Sequence, residues 1–247
     1  MTERLDQALF LRGMTQSRAK AKEAIEAGAV TVNGKLALKP SLPVQESDEI
    51  TISPQLVCQY VGRGGLKLEY ALDAFKVLPE GKIAVDIGAS TGGFTDCLLQ
   101  RGASKVYAVD SGTMQLAEKL ARDPRVTVME KYNARFLSDK DFDESPDLAV
   151  MDVSFISQTL IHEPLFRLLK TGGELITLIK PQFEAGRSAL NKKGIVKDEK
   201  DRNAAIEKVK ASAEACGFSH LATVKSPILG GDGNIEYLAY FRKTRGI

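Results

Sequence analysis

Residues 83–94 read Ile83-Ala84-Val85-Asp86-Ile87-Gly88-Ala89-Ser90-Thr91-Gly92-Gly93-Phe94. Ile83–Ile87 is an apolar run broken by one acid, the length of a buried strand. A loop of small residues follows, and Thr95–Gln100 then has the spacing of a helix start. A strand that turns tightly into a helix over small residues lets the backbone approach a ligand closely. Nicotinamide and flavin enzymes use the same geometry, but their loop requires G-x-G-x-x-G, and here Ser90 stands at the central glycine.

Outward from this segment, strand and helix signals alternate. Lys105–Val109, Val126–Glu130, Asp147–Met151 and Glu174–Ile179 read as further strands, each followed by helical or loop sequence. Such repetition predicts an α/β fold with a parallel sheet covered on both faces. Leu221–Lys225 and Glu236–Phe241 lie too close together for a helical crossover, so an antiparallel pair at one edge is expected. This ending, together with the loop at Ser90, resembles the Rossmann-like sheet of S-adenosylmethionine-dependent methyltransferases, with residues 63–247 as the catalytic domain. The resemblance implies S-adenosyl-L-methionine as cofactor, with Gly88, Ser90, Gly92 and Phe94 of the loop against it. Asp110 ends the second strand eighteen residues past Gly92, near the spacing at which an acid meets ribose hydroxyls. Asn133 is placed for the adenine edge, while Asp86 either binds the methionine ammonium or anchors the loop backbone.

From Arg4 to Ser53 the order is helix, helix, then strands. Leu5, Ala8, Leu9 and Leu11 are expected to form one apolar stripe, and Ser17 to cap a second helix that runs to Ala27 and stops at Gly28. Ala29–Val32 reads as a strand, Asn33-Gly34 as a hairpin turn, and Glu49–Ile52 as a later strand. The stretches RLDQALFLRGMTQSRAKAKEAIEAGAVTVNGK and DEITI resemble the S4 RNA-binding domain, so residues 1–53 are expected to be a small α+β S4 domain. Arg4 opens its first helix, and Arg12, Arg18, Lys20 and Lys22 set cations around the turn and second helix, suited to RNA phosphates. The plainer alternative is a solvated helix face balanced by Glu23 and Glu26. Residues 54–62 have no period and read as the linker.

Four residues stand where such a sheet delivers chemistry, at strand ends and the adjoining loops, with Lys67 on the helix before the first strand. Lys67 lies in RGGLK, Asp152 in MDVSF, Lys180 in LIKPQFEAGR and Glu236 in GGDGNIEY. With DIGASTGGFTD and KGIVKD, these segments resemble the TlyA family, which joins an S4 domain to an FtsJ-type RNA ribose 2′-O-methyltransferase domain. That resemblance implies a Lys-Asp-Lys-Glu catalytic tetrad at these positions, and ribosomal RNA or a ribosomal subunit as partner. The residue types suit the chemistry independently. A ribose hydroxyl is a poor nucleophile while protonated, and a desolvated lysine can help remove its proton. Lys180, which closes an apolar strand, is the first candidate for that base or orienting role. Asp152 and Glu236 would position the lysines and balance their charge. A nearby Lys67 favours a neutral amine and the acids oppose it, so the net effect stays open. Singly, each residue reads as a solvated strand end or a surface ion pair. Four such positions beside a cofactor loop reverse that reading.

Other methyl acceptors leave other marks. Base amines call for Asn/Asp-Pro-Pro-aromatic after the fourth strand, where this chain has Asp152-Val153-Ser154-Phe155, and pyrimidine carbons call for a cysteine that is missing there. Phe155 could still stack on a base. Gln182–Lys200, with Arg187, Lys192 and Lys193, is expected to be a loop over the acceptor entrance, gripping phosphates or simply forming a charged surface. With 43% hydrophobic and 27% charged residues the composition is that of a soluble protein, and a net charge of only +2 turns attention to local patches. Cys58, Cys97 and Cys216 have neither disulfide nor zinc spacing, so no metal and a reducing cytoplasm are expected. The start MTERLDQALF lacks a secretion signal, and no apolar run approaches the roughly 18 residues of a membrane span. A non-catalytic RNA-binding or ribosome assembly factor is the main alternative. A membrane-active haemolysin, a label that relatives of the TlyA family have carried, finds no supporting segment.

Overall fold

The computed structural model describes residues 2–15, 17–26, 28–52, 59–230 and 233–244, which fall into two compact units divided between residues 59 and 60. Positions 53–58, including Cys58 and most of the expected linker, lie outside the described residues, as do Ala27 and Arg245-Gly246-Ile247.

The first unit runs β1 (Thr2–Arg4), α1 (Leu5–Leu11), α2 (Arg18–Glu26), β2 (Val30–Val32), β3 (Lys35–Leu36), β4 (Pro43–Gln45) and β5 (Ile50–Ile52). Leu5, Ala8 and Leu9 pack on Ala21, Ala24 and Ile25, and on Val30, Val44 and Ile50 of the strands. Leu11 does not join them and is 64% exposed. With about 3.6 residues per turn, positions 5, 8, 9 and 12 share a face and 11 does not. Asn33 and Gly34, both at positive φ, turn β2 into β3, and the Oγ of Ser17 accepts from the amide of Lys20 to cap α2. The pairing of β1 with β4 was hidden in the sequence because each strand is only three residues long.

Position 12, which does share the buried face, is an arginine. Its guanidinium donates to the carbonyls of Gln45 (2.8 Å) and Asp48 (3.1 Å) and so closes the turn before β5. Arg12 therefore serves the fold directly, with about a quarter of its side chain still exposed. Arg4 and Arg18 both reach Asp6, and Lys20 reaches Glu23; these three cations, and Lys22 with them, keep much of their surface open to solvent.

In the second unit the order is α3 (Gly64–Phe75), β6 (Ile83–Ile87), α4 (Gly93–Gln100), β7 (Lys105–Val109), α5 (Glu118–Ala121), β8 (Val126–Met129), β9 (Leu148–Met151), α6 (His162–Leu168), β10 (Glu174–Ile179), α7 (Pro181–Glu184), α8 (Glu199–Ala215), β11 (Phe218–Lys225) and β12 (Tyr237–Lys243). One sheet orders them β11-β12-β10-β9-β6-β7-β8. All its neighbours are parallel except β12, which runs antiparallel to both β10 and β11. Ile83, Val85 and Ile87 point to the face packed by Leu165 of α6 and Val209 of α8, while Asp86 points to α4. Alternation along one buried strand thus feeds both layers.

Four readings depart from expectation. β11 begins at Phe218, earlier than its polar Ser219 and His220 suggest. β12 continues through Lys243, whose buried Nζ donates to the carbonyls of Phe166 and Leu169 at the end of α6. The lysine resembles a solvated strand end in sequence and is a helix cap in space. The expected long loop at 182–200 is built structure: α7, a tight turn at Arg187–Ala189, a bridge between Leu190 and Val196, and the start of α8. Asn234 holds it, accepting from Val196 N and donating to the carbonyl of Gly194, both at 3.1 Å. Tyr60–Gly62, read as linker, are part of this unit: Tyr60 is buried and Val61 N donates to Asp96.

Replacing Arg12 with Met keeps an unbranched apolar stem and removes the donors. Amide exchange over residues 45–52 should accelerate about tenfold, the effect of losing charge-assisted bonds of about 1–2 kcal/mol in all. Exchange in β6–β10 should be unchanged, read by hydrogen–deuterium exchange mass spectrometry.

Candidate active site

The carboxyl ends of β6, β7 and β9 open onto a cleft of about 380 Å³, lined among others by Gly88, Ser90, Asp110, Asn133, Asp152 and Phe155. Gly88 sits at φ +83°, and a Cβ there would overlap the carbonyl oxygen of Asp152, so only glycine allows this approach of loop to strand. Ser90 donates its amide to Asp110 (2.8 Å), and the second oxygen of Asp110 accepts from Gly112 (2.7 Å). Asp110 therefore fastens the loop to the end of β7. As a carboxylate it has about four acceptor positions and retains capacity for a ligand in the cleft. Asn133 caps the turn 134–136 through its Oδ1, which accepts from Arg135 N (3.1 Å).

Not every expected cofactor residue lines this cleft. Gly92 lies at the N-cap of α4, and Phe94 is buried beside a smaller adjoining cavity shared with Gly64 and Asp152. Asp86 is fully buried. One of its oxygens accepts from the Thr95 hydroxyl (2.7 Å) while the other has no partner among the described residues. Burial pushes its carboxyl from 3.8 to about 7, the Thr95 bond opposing and the nearby Asp152 charge adding to the rise. Asp86 thus joins β6 to α4 through Thr95.

The four chemistry-bearing residues come together as two ion pairs. Lys67 Nζ lies 2.5 Å from Glu236, both nearly solvent-free. Lys180 Nζ lies 2.5 Å from Asp152 Oδ1, off the line of a hydrogen bond, and donates to the Ser154 hydroxyl at 2.8 Å. The β10–β12 ladder ends with Ile179 opposite Tyr237, so the next positions outward are Lys180 and Glu236. Asp152 follows Met151 at the end of β9 and donates its amide to the carbonyl of Ile87. Gly230 passes so close to the Glu236 carboxylate that a side chain would overlap it. Three strand ends and one helix thus bring residues 169 positions apart into contact.

Several residues of the site escaped sequence reading. Ser154 sits in the DVSF segment but only its contact with Lys180 gives it a role. Glu130 accepts from the amides of Met114 (2.6 Å) and Gln115 (2.9 Å), which shapes the loop after β7 and holds its carboxyl below the usual range. Arg63 lines the smaller cavity beside Asp152. Cys97 is a poor nucleophile, since burial pushes its thiol up to about 12. Arg187, Lys192 and Lys193 are exposed on the built segment between α7 and α8. Among the described residues no group of side chains could hold a metal ion, and no helix is long and apolar enough to cross a membrane.

Residues 60–243 match the family model of FtsJ-like methyltransferases, and residues 3–50 match that of the S4 domain. The chain is 38% identical over 239 residues to the 16S/23S rRNA (cytidine-2′-O)-methyltransferase TlyA of Mycobacterium tuberculosis, covering 97% of this chain and 89% of that one. It belongs to the TlyA family of FtsJ-like methyltransferases. Two further relatives of this family are the Bacillus subtilis protein named "Putative rRNA methyltransferase YqxC", at 47% identity over 96% of this chain and 85% of that one, and Hemolysin A of Brachyspira hyodysenteriae, at 45% over 96% and 99%. A solved structure titled "Putative hemolysin" from Streptococcus thermophilus superposes with a TM-score of 0.78 and 45% identity, covering 99% of this chain and 90% of that one. At 16% identity, an S-adenosylmethionine-dependent methyltransferase from Mesorhizobium loti shares the fold, with a TM-score of 0.52 over 70% of this chain and 96% of that one.

Asp86 gives this site a pH signature. Its folded value of about 7 exceeds the ordinary 3.8, so the folded state binds the proton more tightly. The stability this contributes is complete below about pH 4 and is lost as pH rises through 7. Asp86→Asn should therefore gain melting temperature relative to the wild type between about pH 4 and 7, with a constant difference at higher pH, measured by calorimetry across that range.

Proposed function

We propose that this protein methylates a ribose 2′-hydroxyl of ribosomal RNA, free or within a ribosomal subunit, using S-adenosyl-L-methionine. The observation that carries this reading is the Lys180–Asp152 pair at the cleft, with the Lys67–Glu236 pair beside it at the end of the sheet. RNA as the substrate class is supported by the S4 match and by the rRNA methyltransferase names of the relatives.

The cleft suits a nucleoside linked to an amino acid. Asp110 would take the ribose hydroxyls, Asn133 the adenine edge, and the Gly88–Ser90 backbone would lie against the sulfonium arm. When bound, that cofactor supplies an electrophilic methyl group. Lys180 orients the acceptor hydroxyl; in its neutral amine form its Nζ takes the hydroxyl proton as the oxygen bonds to the methyl carbon and the carbon–sulfur bond breaks, the sulfur leaving as a neutral thioether. Asp152 stabilises the ammonium that results, and Ser154 fixes the amine's direction. Glu236 stands beside the site with its charge met by Lys67, so a second free anion does not compete for Lys180.

Phe155 is 92% exposed at the cleft rim and offers a face for the acceptor base. Arg187, Lys192 and Lys193, with Arg4, Arg18, Lys20 and Lys22 of the S4 unit, supply cations for RNA phosphates.

Purified protein with labelled cofactor should place a methyl on a ribose of rRNA or subunits, mapped as a nuclease-resistant 2′-O-methyl dinucleotide. Lys180→Ala should lower that rate about a thousandfold while cofactor and RNA affinities stay within about twofold. Labelled product from the K180A variant at the wild-type rate would remove Lys180 from the chemistry. A biological role retained without any methyl transfer would point to a non-catalytic assembly factor.

A further inference from the structure

Behind the Lys180–Asp152 pair the same two segments make further contacts, and one of them involves a buried acid. Glu184 closes α7, four positions after Lys180, and its side chain is only 2% exposed. One carboxylate oxygen accepts from the amide of Gln158 (2.8 Å), and the other from the Ser157 hydroxyl (2.5 Å). Lys208 of α8 supplies the counter-charge at 3.3 Å and also donates to the Glu184 carbonyl at 3.0 Å. Gln158 in turn donates to the carbonyl of Leu178 and accepts from the hydroxyl of Thr177, two residues of β10 just before Lys180.

Segments 152–158 and 180–184 therefore run side by side with three successive links. Asp152 meets Lys180, the Phe155 ring meets the Phe183 ring at 5.1 Å, and Ser157-Gln158 meet Glu184. Between the outer links, Phe155 holds a positive φ of 64°, a conformation an aromatic residue adopts only when its surroundings impose it. Of these links, that at Glu184 joins a carboxylate only 2% exposed to two donors on the facing segment by charge-assisted bonds, the kind of contact that can hold a strained backbone in place.

We propose that Glu184 is a positioning residue for methyl transfer: its carboxylate fixes the DVSF segment against the end of β10 and so sets the Lys180–Asp152 spacing and the direction of Phe155. The inference rests on the ribose methyltransferase reading. A displacement of the reacting groups by about 1 Å can cost about a hundredfold in rate, so a loosened tether should appear in the chemical step rather than in binding.

The test is single-turnover methyl transfer to rRNA by the full chain, with cofactor affinity and melting temperature measured alongside. Glu184→Gln should slow the chemical step about tenfold or more while the dissociation constant for S-adenosylmethionine moves less than about twofold. Ser157→Ala keeps the buried charge and its Lys208 partner, so it serves if the E184Q protein folds poorly; a slowing of about threefold or more is expected. Combined, the two changes should slow the reaction little more than Glu184→Gln alone, since both break one link. Variants as fast per folded molecule as the wild type, or slowed only through weaker cofactor binding, overturn the positioning role. A wild-type protein that transfers no methyl overturns the function itself.

Discussion

One reversed strand brings the four candidate residues of this protein together. In a wholly parallel sheet every strand would offer its carboxyl end at the cleft. Because β12 runs against β10, it offers the residue before its first position instead, and that residue is Glu236. Lys180 leaves β10 at the same level, and Asp152 leaves β9 beside it. Two acids from strands of opposite direction thus flank one amine. Lys67 enters from α3 to neutralise the second acid.

That arrangement constrains the charges strongly. Lys67 and Glu236 are almost without solvent, where a lone charge is costly and a matched pair is tolerable. Removing either partner would strand the other. The Lys180–Asp152 pair is more open, with side chains 12% and 21% exposed. The closed pair sets the frame and the open pair faces the cleft.

Backbone proximity does the rest. Gly88 brings the loop within contact of Asp152, and Asp110 clips the far side of that loop through Ser90. Asp86, beneath, joins β6 to α4 and keeps a buried oxygen unpaired among the described residues. A neutral carboxylic acid suits this position near pH 7 better than an ion would, which is why it can lie under a cleft already lined by Asp110 and Asp152 without adding another full charge.

The α/β order, the strands Ile83–Ile87, Lys105–Val109 and Glu174–Ile179, and the Asn33-Gly34 turn were legible in the sequence, because each depends on local period or on residues that tolerate special backbone angles. The positions of Asp152, Lys180 and Glu236 beside strands, and of Lys67 on the helix before β6, were legible because the segments that carry them resemble the TlyA family. Their partners were not. Which lysine meets which acid, that Arg12 closes a turn, that Lys243 caps a helix and that Glu184 ties two segments are all set by contacts between distant parts of the chain. Periodicity records which face a residue occupies. It carries no record of what stands opposite, because that depends on strand order and register, which only the packed sheet decides.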